Sequence, residues 1–417
     1  MSVREKAVLT ALRLPKQPRF LVDESLDELG RLAESAGAEV VGRMTQDRRA
    51  PTPGLYFGKG KVEELREWSR EQGANLMISD DALSPIQERN LGGSLGLKVI
   101  DRTALILDIF AQRARTMEGK LQVELAQLSY LLPRLVGQWR HLERLGGGIG
   151  TRGPGETQLE SDRRMIRHRI QKLRDELKRV RVHRRLVRDR RQATGYPVVA
   201  LVGYTNAGKT TLLNQLTGAS RVAADRLFDT LDPSARLVSA PGHAPFILTD
   251  TVGFIRKLPH QLVAAFKATL EELAEADLLI HVVDASHPGL DDQMAAVEGL
   301  LAELELAERP SIVALNKVDR LDHDSALDAL TARFNGVALS ARTGQGAEAL
   351  LERIGQHFRP RTERLRLLIP YRDGPALALC YERGRVLSRA DLPEGIRVEV
   401  EVPRRLAGQL ETYRRDD

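Results

Sequence analysis

A single cysteine in 417 residues, Cys380, excludes an internal disulfide framework and any zinc cluster built on cysteine. It suits a reducing compartment, and its ordinary reading is a small buried hydrophobe near a strand. Aromatic residues make up only 4% of the chain, so the cores must be aliphatic. No run approaches the roughly 20 apolar residues that cross a bilayer. The opening stretch, MSVREKAVLTALRLPK, lacks the apolar block of a signal peptide. A cytoplasmic protein is expected, with a peripheral place at the membrane left open. The nine histidines form no metal-spaced cluster.

Acidic residues are scarce in one place above all. Between 161 and 192, SDRRMIRHRIQKLRDELKRVRVHRRLVRDRRQ sets fourteen Lys/Arg against four Asp/Glu. That local +10 exceeds the +6 of the whole chain, so the remainder is mildly acidic. Four carboxylates cannot pair with fourteen cations. Charge clustered in this way points to a polyanionic partner.

A chain of this length holds two to four domains. In residues 1–110 the short apolar runs AVLTALRL, AEVVGRM, ANLMIS and LKVID alternate with helical patterns that end in glycine, which predicts a small parallel α/β domain. Residues 111–192 read as helix alone. Leu121, Leu125, Leu128, Leu132, Leu135, Trp139 and Leu142 step by four and three, as do Ile166, Ile170, Leu173, Leu177 and Val180. Two such seams predict an antiparallel hairpin, bent at Pro133. Residues 193–358 predict a doubly wound α/β domain. In 359–417, RLRLLIP, ALALCYERG and GIRVEVEVP alternate like strands before a helical RRLAGQLETY, a small α+β appendage. The fold class expected is therefore multidomain α/β.

The richest glycine stretch, GGGIGTRGPGETQLE (146–160), fits the dinucleotide spacing at Gly148, Gly150 and Gly153. That fingerprint needs a buried strand before it, and here RHLERL, charged and helical, precedes it. Glycine at this place marks the tip of the hairpin.

The strand and helix that a phosphate loop requires lie further on, in VVALVGYTNAGKTTLLNQL. Gly203, Tyr204, Thr205, Asn206, Ala207, Gly208, Lys209 and Thr210, with Thr211 behind them, match G-x-x-x-x-G-K-[ST]. Backbone N–H groups curl around phosphates, Lys209 supplies a cation, and the Thr210 hydroxyl ligates Mg²⁺. Asp250, Thr251, Val252 and Gly253 follow an apolar run; Asp250 orients the Mg²⁺ shell and the Gly253 N–H senses a γ-phosphate. Asn316, Lys317, Val318 and Asp319 end another run, where an unpaired carboxylate accepts from guanine and penalises adenine. Ser340, Ala341 and Arg342 end a third, with a backbone N–H placed for the base carbonyl. The first switch spans Phe228, Asp229, Thr230, Leu231 and Asp232. Thr230 is the expected second Mg²⁺ ligand, with Thr251 as its competitor. The expected reaction is Mg²⁺-dependent GTP hydrolysis, with Lys209, Thr230 and Gly253 as its working residues.

This set resembles the GTPase domain of translation-factor-class P-loop proteins over 196–357. One departure matters: Phe254 stands where many relatives carry a water-orienting glutamine. Intrinsic turnover should be slow, the missing group coming from a partner surface, another switch residue or a monovalent cation. Asn206 lies in a loop resembling those of potassium-stimulated GTPases, which makes K⁺ a candidate.

The flanks carry a second resemblance. GLYFGKGKVEEL (54–65), VIDRTALILDIFAQRARTMEGKLQVELAQLSYLLPRL (99–135) and GGGIGTRGPGETQLESDRR (146–164) are similar to signature segments of the HflX family of ribosome-associated GTPases. The resemblance implies a cytosolic GTPase, expected to be a monomer, that binds the large ribosomal subunit and its RNA. It also implies a role in ribosome splitting, rescue or biogenesis, with the hairpin reaching toward the peptidyl-transferase region. GKGK (58–61) reads as a turn entering a helix, although suspected ATP-linked activity in the family leaves a second nucleotide site open. The alternative function is a GTP-dependent regulator acting on a protein or an anionic membrane surface.

Overall fold

The computed structural model describes residues 4–138, 154–193, 196–218, 227–228, 234–257, 273–321, 324–359 and 362–415. Two compact units emerge: residues 1–180 with the pair Leu227–Phe228, and most of 181–417.

In the first unit, β1 (Lys6–Arg13), β2 (Glu39–Asp47), β3 (Leu76–Ser79) and β4 (Lys98–Asp101) form a parallel sheet in the order β2-β1-β3-β4. Parallel pairing requires crossovers. They are α1 (Arg19–Ser35), α2 (Lys59–Gln72) and α3 (Pro85–Leu95). Ser84 and Gln87 close a capping box at the start of α3, and Gly96, at φ 70°, ends it. Gly58 is the residue before α2, so GKGK is a helix start.

Buried carboxylates root the hairpin in this sheet. Asp101 caps α4 (Arg102–Arg113) through the Ala104 N–H at 2.9 Å. It also accepts from the Tyr130 hydroxyl at 2.9 Å and Arg134 Nη2 at 3.2 Å, both on α5 (Met117–Gln138). Arg102 is buried between Glu28 and Asp80 and bridges both carboxylates. The seam forms where the heptads predict it, with Leu121 on α5 against Leu173 and Leu177 on α6 (Pro154–Ala193), flanked by Leu125 and Leu128. Pro133 lies inside α5 and does not end it. Helix α6 begins at Pro154, within the glycine-rich stretch, because proline is tolerated in a first turn. Trp139, Leu142 and the tip through Gly153 lie outside the described residues.

In the second unit, β5 (Val198–Val202), β6 (Ser234–Val238), β7 (Phe246–Asp250), β8 (Leu278–Asp284), β9 (Ser311–Asn316) and β10 (Val337–Ala338) form one sheet in the order β10-β9-β8-β5-β7-β6. All neighbours are parallel except the edge pair β6–β7. Helices α7 (Lys209–Thr217), α8 (Leu290–Glu303), α9 (Asp324–Phe334) and α10 (Ala347–Phe358) complete the domain. Val199, Leu201, Leu248, Ile280, Val282 and Ala314 form its aliphatic core.

The C-terminal appendage corrects one sequence reading. ALALCYERG is part of helix α11 (Gly374–Arg383), not a strand. Ala376, Leu377, Leu379 and Cys380 all pack into the core, a helical spacing that a short apolar run disguises. Cys380 is thus buried on a helix, and burial pushes its thiol up to about 11. The third strand of the antiparallel sheet β11-β13-β12 is β12 (Arg385–Leu392), between β11 (Thr362–Ile369) and β13 (Gly395–Pro403) in sequence. Helix α12 (Arg404–Leu410) follows, then a single 3-10 turn at Glu411–Tyr413. Among the described residues no helix is long and apolar enough to cross a membrane.

Candidate functional site

The loops at the carboxyl ends of β5, β7, β8, β9 and β10 converge, where open α/β sheets bind ligands. The buried run VVALV drives β5 into the sheet centre, and the chain then turns at Gly203. That residue has φ 151°, and a Cβ there would stand 2.2 Å from the Val282 carbonyl. At Gly208, φ is 98° and a Cβ would meet Asn316 Nδ2 at 2.2 Å. Only glycine fits either place. Gly208 caps α7, so the positive end of that helix begins at Lys209. Asn206 adopts φ 62°, the left-handed region in which asparagine is tolerated.

Lys209 is 6% exposed, and its Nζ donates to Gly203 O at 3.0 Å and Tyr204 O at 2.8 Å. Burial brings its pKa down to about 8, with Asp250 opposing the shift. His281, in the middle of β8, is held near 4 by burial and by the Lys209 charge, hence neutral. The Thr210 hydroxyl donates to Asp250 Oδ2 at 2.7 Å, and Asp250 is fully buried. A hydroxyl and a carboxylate so placed are hard oxygen donors of the kind Mg²⁺ takes, so the residues present fit that ion.

Thr251 is the competing candidate. Its hydroxyl is buried and donates to Leu201 O at 2.6 Å, which commits it to the sheet. Val252 and Gly253 are buried beside the phosphate loop, and Phe254 is 2% exposed, its ring withdrawn from water. Phe228 belongs to the first unit, where its ring meets Phe110 edge-on at 4.7 Å. An apolar ring that size gains from burial of this kind. Asp229, Thr230, Leu231 and Asp232 lie outside the described residues. Thr211 lies in the first turn of α7, partly exposed.

At the carboxyl end of β9, Asn316 Nδ2 donates to Ala207 O at 2.7 Å and its Oδ1 accepts from the Ala341 N–H at 2.9 Å. Of the backbone N–H groups in the Ser340–Arg342 segment, that of Ala341 is therefore already engaged. Asp319 is not unpaired either. The Ser340 hydroxyl donates to one oxygen at 2.6 Å, and Arg342 bridges the other at 2.7 Å. The Ser340 bond, then Arg342, hold its carboxyl below the usual range. A carboxylate offers about four acceptor sites, so room remains for the two guanine donors. Val318 is buried beneath this loop.

Sequence reasoning passed over Asp284. Lys317, at φ 64°, donates to Asp284 Oδ2 at 2.7 Å. Burial pushes the Asp284 carboxyl up, but bonds from Lys317 and Ser286 outweigh it and the net direction is down. The residue ends the apolar run LLIHVV at the carboxyl edge of β8, the same signal that singles out Asp250 and Asp319.

The sequence is similar to those of known GTPases. Residues 23–111 match a family described as GTP-binding GTPase N-terminal, and 113–191 match GTP-binding GTPase Middle Region. Residues 198–317 match 50S ribosome-binding GTPase. The GTPase HflX of Caldanaerobacter subterraneus subsp. tengcongensis is 47% identical over 98% of this chain and 94% of its own length. That of Escherichia coli is 47% identical over 86% and 85%. A solved GTP-binding protein from Sulfolobus solfataricus in complex with GDP is 27% identical, covering 84% of this chain and 98% of that one at a TM-score of 0.45. Relatives of this identity, matched over most of both chains, show that the chain belongs to the HflX family of GTPases.

Proposed function

We propose that GTP hydrolysis at this crevice controls docking on the large ribosomal subunit and its RNA, in ribosome splitting, rescue or biogenesis. The observation that carries the reading is the charge of α6. Arg164, Arg167, Lys172, Arg174, Lys178 and Arg179 are all exposed, while the apolar seam faces α5. An interfacial membrane helix would leave its apolar face open. The GTPase domain's match to a family described as ribosome-binding supports the same partner. In this reading Thr210 and Thr230 hold Mg²⁺ with Asp250 behind them, and the ion would supply charge neutralisation at the β- and γ-phosphates. Lys209 cradles the phosphates, Gly253 senses the γ-phosphate, and Asp319 reads guanine. Asn206 marks the place for K⁺. The chain acts in the cytoplasm as a monomer, divided near residues 110, 192 and 358.

The test is GTP turnover with and without purified large subunits, repeated with Lys209→Ala and with residues 146–155 shortened. Stimulation by the subunit that both changes abolish is the expected result. No stimulation, together with flotation on anionic vesicles, refutes the ribosomal reading.

A further inference from the structure

Beside the phosphate loop, the segment after β7 forms a short pairing with it. The Phe254 N–H donates to Gly203 O at 3.1 Å, and the Thr205 N–H donates to Phe254 O at 2.7 Å. Two residues on, the Arg256 N–H donates to the Tyr204 hydroxyl at 2.8 Å. Tyr204 is 5% exposed, so water does not readily replace that bond if it is lost. Gly253 lies immediately before the pairing. A Cβ built on it would stand 2.8 Å from Thr205 Cγ2 and 3.1 Å from Lys209 Nζ. The phosphate-loop signature leaves the Tyr204 position open, because the cradle uses backbone there. A phenol buried at that place and bonded to the neighbouring segment has work outside the cradle.

We infer that Tyr204 is a positioning residue for GTP hydrolysis, tethering Arg256 so that the Gly253 N–H stays aimed at the γ-phosphate. A backbone donor stabilises developing charge only when its orientation is set beforehand. The Phe254 pairing fixes the peptide next to Gly253, and Tyr204 fixes the chain on its far side. Arg256 in turn reaches Asp292 on α8 at 2.8 Å, so the tether continues to the body of the domain. The inference rests on Gly253 being the γ-phosphate sensor, and the two ideas fail separately.

The experiment uses the full chain with Tyr204→Phe, Gly253→Ala and the double variant. Turnover, affinity for GDP and affinity for a non-hydrolysable GTP analogue, GMPPNP, are measured for each. Tyr204→Phe is expected to slow turnover and weaken GMPPNP about five- to tenfold, with GDP affinity changed less than about twofold. In the Gly253→Ala background the same change should cost less than about twofold, because the two act as one unit. Normal turnover and GMPPNP affinity in Tyr204→Phe, beside an impaired Gly253→Ala, overturn the role of Tyr204 alone. Normal behaviour of Gly253→Ala overturns the sensor reading beneath it. Equal weakening of GDP and GMPPNP with a lower Tm, or full additivity in the double variant, makes Tyr204 a prop of the fold and also refutes the inference.

Discussion

Raising the pH from 7.0 to 8.5 should weaken GTP-analogue binding about fourfold, and the cause is one buried amine. Lys209 Nζ has two carbonyls for company, and burial holds its pKa at about 8, down from 10.5. Phosphate needs the ammonium form. With a pKa near 8, the charged fraction of the free protein is about nine-tenths at pH 7.0 and about a quarter at pH 8.5. Bound phosphates raise the pKa, so binding takes up a proton in this range and affinity falls as pH rises. Stability without nucleotide moves the other way. Between about 8 and 10.5 the folded protein holds fewer protons on this group than the unfolded chain does, so its contribution to stability grows with pH across that window. The assay is GMPPNP affinity from pH 6.5 to 8.5 at constant ionic strength, beside Lys209→Arg, whose guanidinium stays charged throughout. A flat profile in the parent protein, or the same slope in Lys209→Arg, refutes the reasoning.

Asp319→Asn should lower GTP affinity about 100-fold and raise affinity for xanthosine triphosphate, measured by competition; an unchanged preference would remove Asp319 from base reading. Thr205→Val should raise stability by about 1 kcal/mol in urea titration, since the Thr205 hydroxyl is buried without a hydrogen-bond partner among the described residues. Replacing Arg164, Arg167, Arg174 and Lys178 with glutamine should lower the salt slope of ribosome binding by about 3, and an unaltered slope would place the RNA contact elsewhere. Exchanging K⁺ for Na⁺ should slow turnover several-fold if Asn206 helps to hold the ion, and equal rates exclude it.

Much of the site is legible in the sequence because its pieces are contiguous. Gly203 to Thr210 carries its own strand, turn and helix, and Asp250 and Asp319 each close an apolar run. What escaped depends on contacts between distant residues. Nothing local to Asp319 announces Ser340 and Arg342 on its oxygens, and nothing local to Phe228 announces Phe110. Nothing local to Thr251 announces the Leu201 carbonyl that takes its hydroxyl. In the appendage the error was one of period. Six or seven apolar residues between breakers fit a strand or a helix, and only packing against β13 decides which.

Asn316 ties two loops of the crevice together. Its amide is a strut, one end on the phosphate loop at Ala207 and the other on the base loop at Ala341, and it is 2% exposed. A single buried side chain therefore sets the spacing between these two loops, and neither can shift without stretching or breaking one of its two bonds.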